Sequence, residues 1–252
     1  MAKVLITAGP TREYIDPVRF ISNASSGMMG YALARAARAM GHKVTLITGP
    51  VCLVPPKGMV CIKVNTTRQM FSAVKANLKR CNCLIMAAAV ADFRPAMPSR
   101  SKIKKTGRSI SITLEPTEDI LAWAALHRPK ETILVGFALE DKSIRRRAEE
   151  KLKGKGLDMI IANAPLAIGA EKVALQIKTK DGLWIDLPLA SKDTQARRIM
   201  RMVTQMMRSS RSRDTVGGPN YETRDAPDPM RSFQSSVART HRRTIRGVPC
   251  PY

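Results

Sequence analysis

Four stretches of the sequence could act on an anionic, phosphate-rich ligand. Ser25-Ser26-Gly27 stands at the start of a helical pattern, where backbone N–H groups, two hydroxyls and the helix dipole favour an anion. Ala87-Ala-Ala-Val-Ala-Asp92 closes an apolar run on a carboxylate that could hold a metal or orient a ligand hydroxyl. The small residues before it let a flat ligand approach the backbone. From Phe93 to Gly107 the chain carries prolines, serines, Lys102, Lys104 and Lys105, a mobile basic flap that could close over a phosphate chain. Lys151 and Lys155 are spaced i, i+4 and so share one helix face. Each stretch also has an ordinary explanation: a serine N-cap, a turn-capping aspartate, a solvated basic loop, a solvated helix face. Together they describe a triphosphate site. The pattern G-x-x-x-x-G-K-[ST] does not occur, which excludes a P-loop NTPase.

The elements that must position these groups alternate strand and helix. Val4-Leu-Ile-Thr, Val44-Thr-Leu-Ile-Thr, Val60-Cys-Ile-Lys-Val, Cys83 to Val90, Ile133-Leu-Val-Gly-Phe and Met159-Ile-Ile-Ala read as strands. Residues 27–40 form an apolar stripe at helical spacing, which Gly41 ends. Thr66 caps a helix running to about Leu78, and a Lys-rich helix lies near residues 145–155. Val173 to Thr179 and Leu183 to Asp186 form a hairpin across Asp181-Gly182, and a last helix spans about Ser191 to Met207. This order predicts an α/β, three-layer Rossmann-like fold. Its central sheet is mostly parallel, and a C-terminal β-hairpin plus helix completes it. Ligands in such sheets sit beyond the carboxyl ends of the strands. The first strand is followed by a polar connection some fifteen residues longer than a simple Rossmann turn, and loops of that length tend to be functional.

The chain has 252 residues, 44% of them hydrophobic, enough for a real core. Lys and Arg number 43 against 20 Asp and Glu, a formal charge of +23 that attracts polyanions. Aromatics are only 4%, which argues against base-stacking platforms. The longest apolar run, Leu84 to Ala91, is far too short to cross a bilayer. The N-terminus lacks the regions of a signal peptide. Five scattered cysteines and three distant histidines indicate free thiols in a reducing cytoplasm and no zinc site. Two regions are expected, a folded domain over 1–207 and a basic, disordered tail over 208–252, where nine arginines face four acids.

Several long blocks occur in order. They are Ile6-Thr-Ala-Gly-Pro-Thr-Arg-Glu13, Ile15-Asp-Pro-Val-Arg-Phe-Ile-Ser-Asn-Ala-Ser-Ser-Gly27, Ala88-Ala-Val-Ala-Asp-Phe-Arg-Pro95, Lys102-Ile-Lys-Lys105, Val135-Gly-Phe-Ala-Leu-Glu140, Lys151-Leu-x-x-Lys155 and Asp158-Met-Ile-Ile-Ala-Asn163. Over roughly Lys3 to Met207 they resemble phosphopantothenate–cysteine ligase, the phosphopantothenoylcysteine synthetase of coenzyme A biosynthesis, in its bacterial form. The resemblance implies a ligase that joins 4′-phosphopantothenate and L-cysteine through an acyl-cytidylate made from CTP, releasing pyrophosphate and then CMP. It also implies Mg²⁺ with the nucleotide, a homodimer, a cytoplasmic location and no membrane partner. In many bacteria this domain follows a flavin-dependent decarboxylase; the chain here begins at the synthetase strand, so a stand-alone enzyme with no flavin is expected.

By the same resemblance, Ala88, Asp92, Lys102, Phe137, Lys151 and Lys155 bind the nucleotide. The lysines face the triphosphate, Phe137 the cytosine, and Asp92 the ribose or phosphate end. Asn23 matches the asparagine of the second half-reaction, and Lys102 serves the activation step. Ser25, Ser26 and Gly27 hold the substrate phosphate. The Asn-Pro-Asp-Ile-Leu nucleotide segment appears as Thr117-Glu118-Asp119-Ile120-Leu121, matching at Asp119, Ile120 and Leu121 but not at Thr117 and Glu118. Met28 stands where lysine is usual, which predicts weaker phosphopantothenate binding; plain core packing is its other reading. The blocks at Ala88–Asp92 and Phe137 are all the sequence offers for choosing CTP over ATP. The charge and the Arg-rich tail keep weak nucleic-acid binding open, although no helix-turn-helix, zinc finger or ribonucleoprotein motif occurs. A nicotinamide-dependent oxidoreductase lacks its glycine fingerprint and its acidic residue after the second strand, where Thr48-Gly49-Pro50 stands.

Overall fold

The computed structural model describes residues 1–164 and 169–214. Residues 215–252, most of the expected tail, lie outside the described residues, as do His241 and Cys250. In chain order the elements are β1 (Lys3–Ala8), β2 (Arg12–Tyr14), β3 (Phe20–Ser22), α1 (Met28–Ala39), β4 (Lys43–Thr48), β5 (Val60–Lys63), α2 (Thr67–Leu78), β6 (Cys83–Met86), β7 (Phe93–Pro95), β8 (Leu114–Pro116), α3 (Ile120–His127), β9 (Ile133–Leu139), α4 (Ile144–Gly154), β10 (Met159–Asn163), β11 (Lys172–Thr179), β12 (Trp184–Ser191) and α5 (Lys192–Asp214).

Eight strands form one sheet in the order β12-β11-β10-β9-β6-β1-β4-β5. The pairs from β10 to β5 are parallel, and the two joining β10, β11 and β12 are antiparallel. Side chains alternate across this sheet, and the two faces build two cores. Val4, Ile6, Leu46, Ile85, Val135 and Ile161 pack with α1 and α5. Leu5, Ile47, Leu84, Leu134 and Ile160 pack with α2, α3 and α4. The result is the three-layer Rossmann-like α/β fold, with the C-terminal hairpin and helix that the sequence pattern predicts.

Local signals explain the joints. Thr66 accepts the Gln69 N–H at 3.3 Å while Gln69 reaches back to the N–H groups of Asn65 and Thr66, a capping box. Gly30 lets α1 lie close on β1: a Cβ there would stand 2.5 Å from the Ala8 Cβ.

Three expectations are corrected. The strand expected over Cys83–Val90 ends at Met86, because the Ala88 N–H turns to the Thr7 hydroxyl at 3.2 Å. Only a single bridge, Ala89 to Pro10, continues the parallel pairing. The long polar connection after β1 is not structureless: it contains the antiparallel β2–β3 hairpin. Helix α5 continues past Met207 to Asp214, since Arg and Ser there do not interrupt a helix already docked on the sheet.

Cys52, Cys61, Cys81 and Cys83 are free thiols, and burial pushes Cys81 up to about 12, which keeps it protonated and inert. Among the described residues, no helix is long and apolar enough to cross a membrane.

Candidate active site

Strand order reverses at β1, with β4 on one side and β6 on the other, and the carboxyl ends of β6, β9 and β10 line a cleft of about 730 Å³. This is where an open parallel sheet leaves room for a ligand.

One wall is the start of α1. Gly27 caps it in the left-handed region (φ 74°), and no side chain closes the cap. A serine N-cap is therefore not the explanation of Ser25-Ser26. Their hydroxyls sit 3.4 and 3.5 Å from the N–H groups of Gly27 and Met28, at the weak end of hydrogen bonding. Ser25, Ser26, Gly27 and Met28 all line the cleft, so the positive end of α1 faces it. Met28 is half-buried there. Asn23, just beyond β3, donates its amide Nδ2 to the Val90 carbonyl at 2.8 Å.

The floor is the turn after β6. Ala88 and Asp92 line it, and Asp92 is exposed. The Asp92 carbonyl accepts the Thr117 N–H at 2.9 Å, and the Thr117 hydroxyl donates to the Ala91 carbonyl at 2.6 Å. These bonds hold the segment before α3 beside the turn. Asp119 caps α3 by accepting the Ala122 N–H, and Ile120 and Leu121 follow it into the wall.

The far wall carries the paired lysines. Lys151 Nζ donates to the Phe137 carbonyl at 2.8 Å, and Lys155 Nζ pairs with Asp119 Oδ2 at 2.7 Å. Burial pushes the Lys151 ammonium down from its usual value, helped by Lys155, while Glu140, Asp119 and Asp92 pull the other way. For Asp119, burial alone would raise the carboxyl, but the bonds from Lys155 and Ala122 outweigh it and leave it below the usual value. The arrangement sets positive charge from one face of α4 and from the N-terminal end of α1 around the cleft.

Of the residues singled out from the sequence, Asn23, Ser25, Ser26, Gly27, Ala88, Asp92, Asp119, Ile120, Leu121, Phe137, Lys151 and Lys155 meet at this cleft. Lys102 does not: it is exposed on the segment between β7 and β8, outside the lining. Polar or charged lining residues that were given no role from the sequence include Glu118, Glu140, Asn163 and Lys192. Glu140 follows β9 directly and Asn163 is the last residue of β10, so a rule of reading the carboxyl end of each strand would have found them. Glu118 is held by Arg94 at 3.2 Å, and Arg94 also donates to Glu115 at 2.8 Å.

Among the described residues no three His, Cys, Asp or Glu side chains cluster as a metal cage. Glu118, Asp119 and Glu140 are each engaged by a basic side chain. Of the acidic side chains lining the cleft, Asp92 is the one that would be left to hold a divalent cation arriving on a polyphosphate, with the remaining oxygen ligands coming from phosphate and water.

Comparison with known proteins identifies the family of the chain. The coenzyme A biosynthesis bifunctional protein CoaBC of Vibrio cholerae is 42% identical over 211 residues, 81% of this chain and 53% of that protein. A protein named cysteine/cysteine sulfinic acid decarboxylase, from an unknown prokaryotic organism, is 50% identical over 163 residues, 64% of this chain and 45% of that one. The chain thus spans about half the length of the curated relatives it matches. A crystal structure of the C-terminal domain of CoaBC superposes with a TM-score of 0.72 at 36% identity, covering 82% of this chain and 96% of that one. Residues 1–207, which hold the whole sheet and every wall of the cleft, match a single family description, and the chain belongs to that family, the DNA/pantothenate metabolism flavoprotein C-terminal domain.

Proposed function

We propose that this chain is a phosphopantothenate–cysteine ligase that uses CTP. The observation that carries the reading is the convergence of the α1 N-terminus, Asn23, the Lys151–Phe137 contact and the Asp119–Lys155 pair on one cleft. The coenzyme A biosynthesis relatives support it.

The reaction begins with repulsion. The phosphopantothenate carboxylate must approach the α-phosphorus of CTP, and both partners are anions. Lys151 and Lys155 lower the charge on the triphosphate, and the open N-terminus of α1 takes the phosphate of phosphopantothenate. A carboxylate oxygen bonds to the α-phosphorus as the bond to the β-phosphate oxygen breaks, giving an acyl-cytidylate and pyrophosphate. Mg²⁺ on the triphosphate adds charge neutralisation when bound. The cysteine amine then attacks the acyl carbon, CMP leaves, and the amine proton goes to solvent. Asn23 is oriented by Val90 and offers its second amide N–H to the acyl oxygen as negative charge builds there. Phe137, half-buried on β9, supplies an edge and a backbone for the base.

Lys102 stands outside its own cleft, and the two small hairpins beside it expose Val18, Phe93, Met97, Ile110 and Ile112. Large apolar side chains left exposed on one segment suit a protein interface. The reading is therefore a homodimer in which Lys102 serves the neighbouring copy's cleft.

The deciding assay incubates the protein with CTP, Mg²⁺ and phosphopantothenate and measures pyrophosphate with and without cysteine, with ATP in a parallel series. Pyrophosphate from CTP without cysteine, and amide product only with it, is the expected result. No pyrophosphate from either nucleotide would refute the ligase reading, and release from ATP alone would refute the nucleotide.

A further inference from the structure

The segment bearing Lys102 is tied to the turn of the β2–β3 hairpin. The Ser99 N–H donates to the Ile15 carbonyl at 2.8 Å. At Ile103 both backbone groups are gripped: the N–H donates to Asp16 Oδ2 at 3.1 Å, and the carbonyl accepts from Arg19 Nη2 at 2.7 Å. The grip is stiff in itself. The Asp16 side chain is fully enclosed, and its Oδ1 accepts the N–H groups of Val18 and Arg19 at 2.9 and 2.8 Å. Its Oδ2 takes the Arg19 guanidinium through Nε at 2.9 Å and through Nη2. The Arg19 guanidinium holds the Asp16 carboxyl well below the usual carboxylate range, so the clasp is charged throughout the neutral range.

The hairpin carrying this clasp is anchored at its other end. Buried Glu13 on β2 accepts both the N–H and the hydroxyl of Thr67, each at 2.8 Å, where α2 begins. Strand β3 runs directly to Asn23 and the cleft. One rigid bar thus joins the start of the cleft to Ile103, whose chain neighbours are Lys102 and Lys104. A free surface lysine samples many rotamers, and fixing its backbone removes a further source of misplacement.

We propose that Asp16, together with Arg19, is a positioning residue of the reaction: by holding Ile103 on both polar groups it sets where Lys102 is presented. This rests on the reading of Lys102 as a residue of the activation step.

The test uses the full chain, with pyrophosphate release from CTP and phosphopantothenate as one readout. Hydrogen exchange over residues 96–113 is the other. In Asp16→Ala, exchange at the Ile103 amide should accelerate and kcat should fall about tenfold, with the phosphopantothenate KM within about twofold. Combined with Lys102→Gln, the loss should not grow beyond that of Lys102→Gln alone, because both remove the same group. Arg19→Gln should behave likewise, and Arg19→Lys, which keeps a donor for the Ile103 carbonyl, should recover part of the rate. Wild-type kcat in Asp16→Ala and Arg19→Gln, or losses that multiply with Lys102→Gln, would overturn the proposal. Wild-type kcat in Lys102→Gln would instead overturn the assignment of Lys102, and the positioning role with it, while the exchange data still report whether the clasp forms. If Asp16→Ala gives no cooperative melt, Arg19→Gln carries the comparison, since it leaves the backbone bonds to Asp16 intact.

Discussion

Asp119 serves two helices at once: its Oδ1 accepts the Ala122 N–H at 3.0 Å to cap α3, and its Oδ2 lies 2.7 Å from the Lys155 ammonium at the end of α4. The first bond is a matter of stability and the second of where a cation stands in the cleft. Two substitutions separate them. Asp119→Ala loses both, and a lost cap costs about 1 kcal/mol, or roughly 2–4 °C in Tm for a domain of this size. Asp119→Asn keeps the cap and loses only the ion pair, so its Tm should fall less than that of Asp119→Ala. In both variants Lys155 is released. An exposed pair is worth up to about 1 kcal/mol, so the CTP KM should rise by up to about fivefold. Thermal melts beside CTP titrations of the pyrophosphate assay check this. An Asn variant that melts as low as Ala would refute the cap.

The close approach of α1 and of the Gly49 turn to the residues after β1 predicts an ordered series of stabilities. A Cβ on Gly30 would stand 2.5 Å from the Ala8 Cβ, and one on Gly49 would stand 1.7 Å from the Pro10 carbonyl oxygen. Gly30→Ala should cost about 1–3 kcal/mol through overpacking, and Gly49→Ala more, because backbone must move. Gly154, with nothing within 4 Å of its added Cβ, should be stabilised by about 0.4–1 kcal/mol on change to Ala, through the unfolded chain. Urea unfolding of the three variants gives the order directly.

How much of this was legible in the sequence differs by element. Thr66 with Gln69 three residues later, and the apolar stripe ending at Gly41, are local signals, and the structure follows them. The hairpins β2–β3 and β7–β8 have strands of three residues each, too short for a period of two to stand out. At the cleft, Ser25, Ser26 and Gly27 were readable because they precede a helix, and Lys151 and Lys155 because i, i+4 spacing sets them on one helix face, whereas Asn23, Asp119 and Phe137 came from the family resemblance. The position of Lys102 was not readable, because its segment is placed by Asp16 and Arg19, some 84 residues away in sequence for the bond from Arg19 to Ile103. Contacts of that kind leave no periodic trace. The ion pairs Arg94–Glu118 and Lys155–Asp119 were hidden for the same reason.

His42 predicts a pH dependence of stability. Its Nε2 is 3.0 Å from the Thr204 hydroxyl, which donates its own proton to the Met200 carbonyl at 2.7 Å. Thr204 therefore accepts, Nε2 carries the proton, and Nδ1 is bare; buried, it has no hydrogen-bond partner. Burial pushes the His42 pKa down from 6.5, and the N-terminal ammonium and Arg208 add to this. A histidine whose folded pKa is lowered is bound more readily by protons when unfolded. Stability from this residue is thus complete above about pH 6.5 and is lost as the pH falls below it towards the folded value. Denaturant unfolding between pH 8 and pH 5 should show the decline, and His42→Gln should flatten it. An unchanged slope in that variant would place the dependence elsewhere.

The exposed apolar side chains on the small hairpins predict the oligomeric state. Met97 is 91% exposed and Ile110 57% exposed, and neither lines the cleft. In a homodimer built on this surface, Met97→Asp and Ile110→Asp should each shift the sedimentation coefficient from dimer to monomer, since a charge cannot be buried there without a partner. Pyrophosphate release should fall with dissociation if Lys102 acts on the neighbouring cleft. A wild type that sediments as a monomer at micromolar concentration would refute the dimer.

Asn23 gives the sharpest division between the two half-reactions. One of its two amide protons is committed to the Val90 carbonyl at 2.8 Å, which fixes the plane of the amide and leaves the other N–H for a ligand. In activation, the charge that develops sits on phosphate oxygens, where lysines and the α1 N-terminus are placed. In amide formation, charge develops on the acyl oxygen, and there a neutral, fixed N–H donor lowers the barrier by about 2.7–4 kcal/mol in comparable oxyanion sites. Asn23→Asp removes both protons and puts a negative charge against the Val90 carbonyl and the developing oxyanion alike. Pyrophosphate release without cysteine should stay within a few-fold of wild type, whereas formation of the amide should fall by about 10²-fold or more. The acyl-cytidylate should then accumulate on the enzyme and be recoverable by rapid quench. Equal loss in both half-reactions would mean that the Asn23–Val90 bond shapes the cleft rather than the second step, and undiminished amide formation would remove Asn23 from the mechanism.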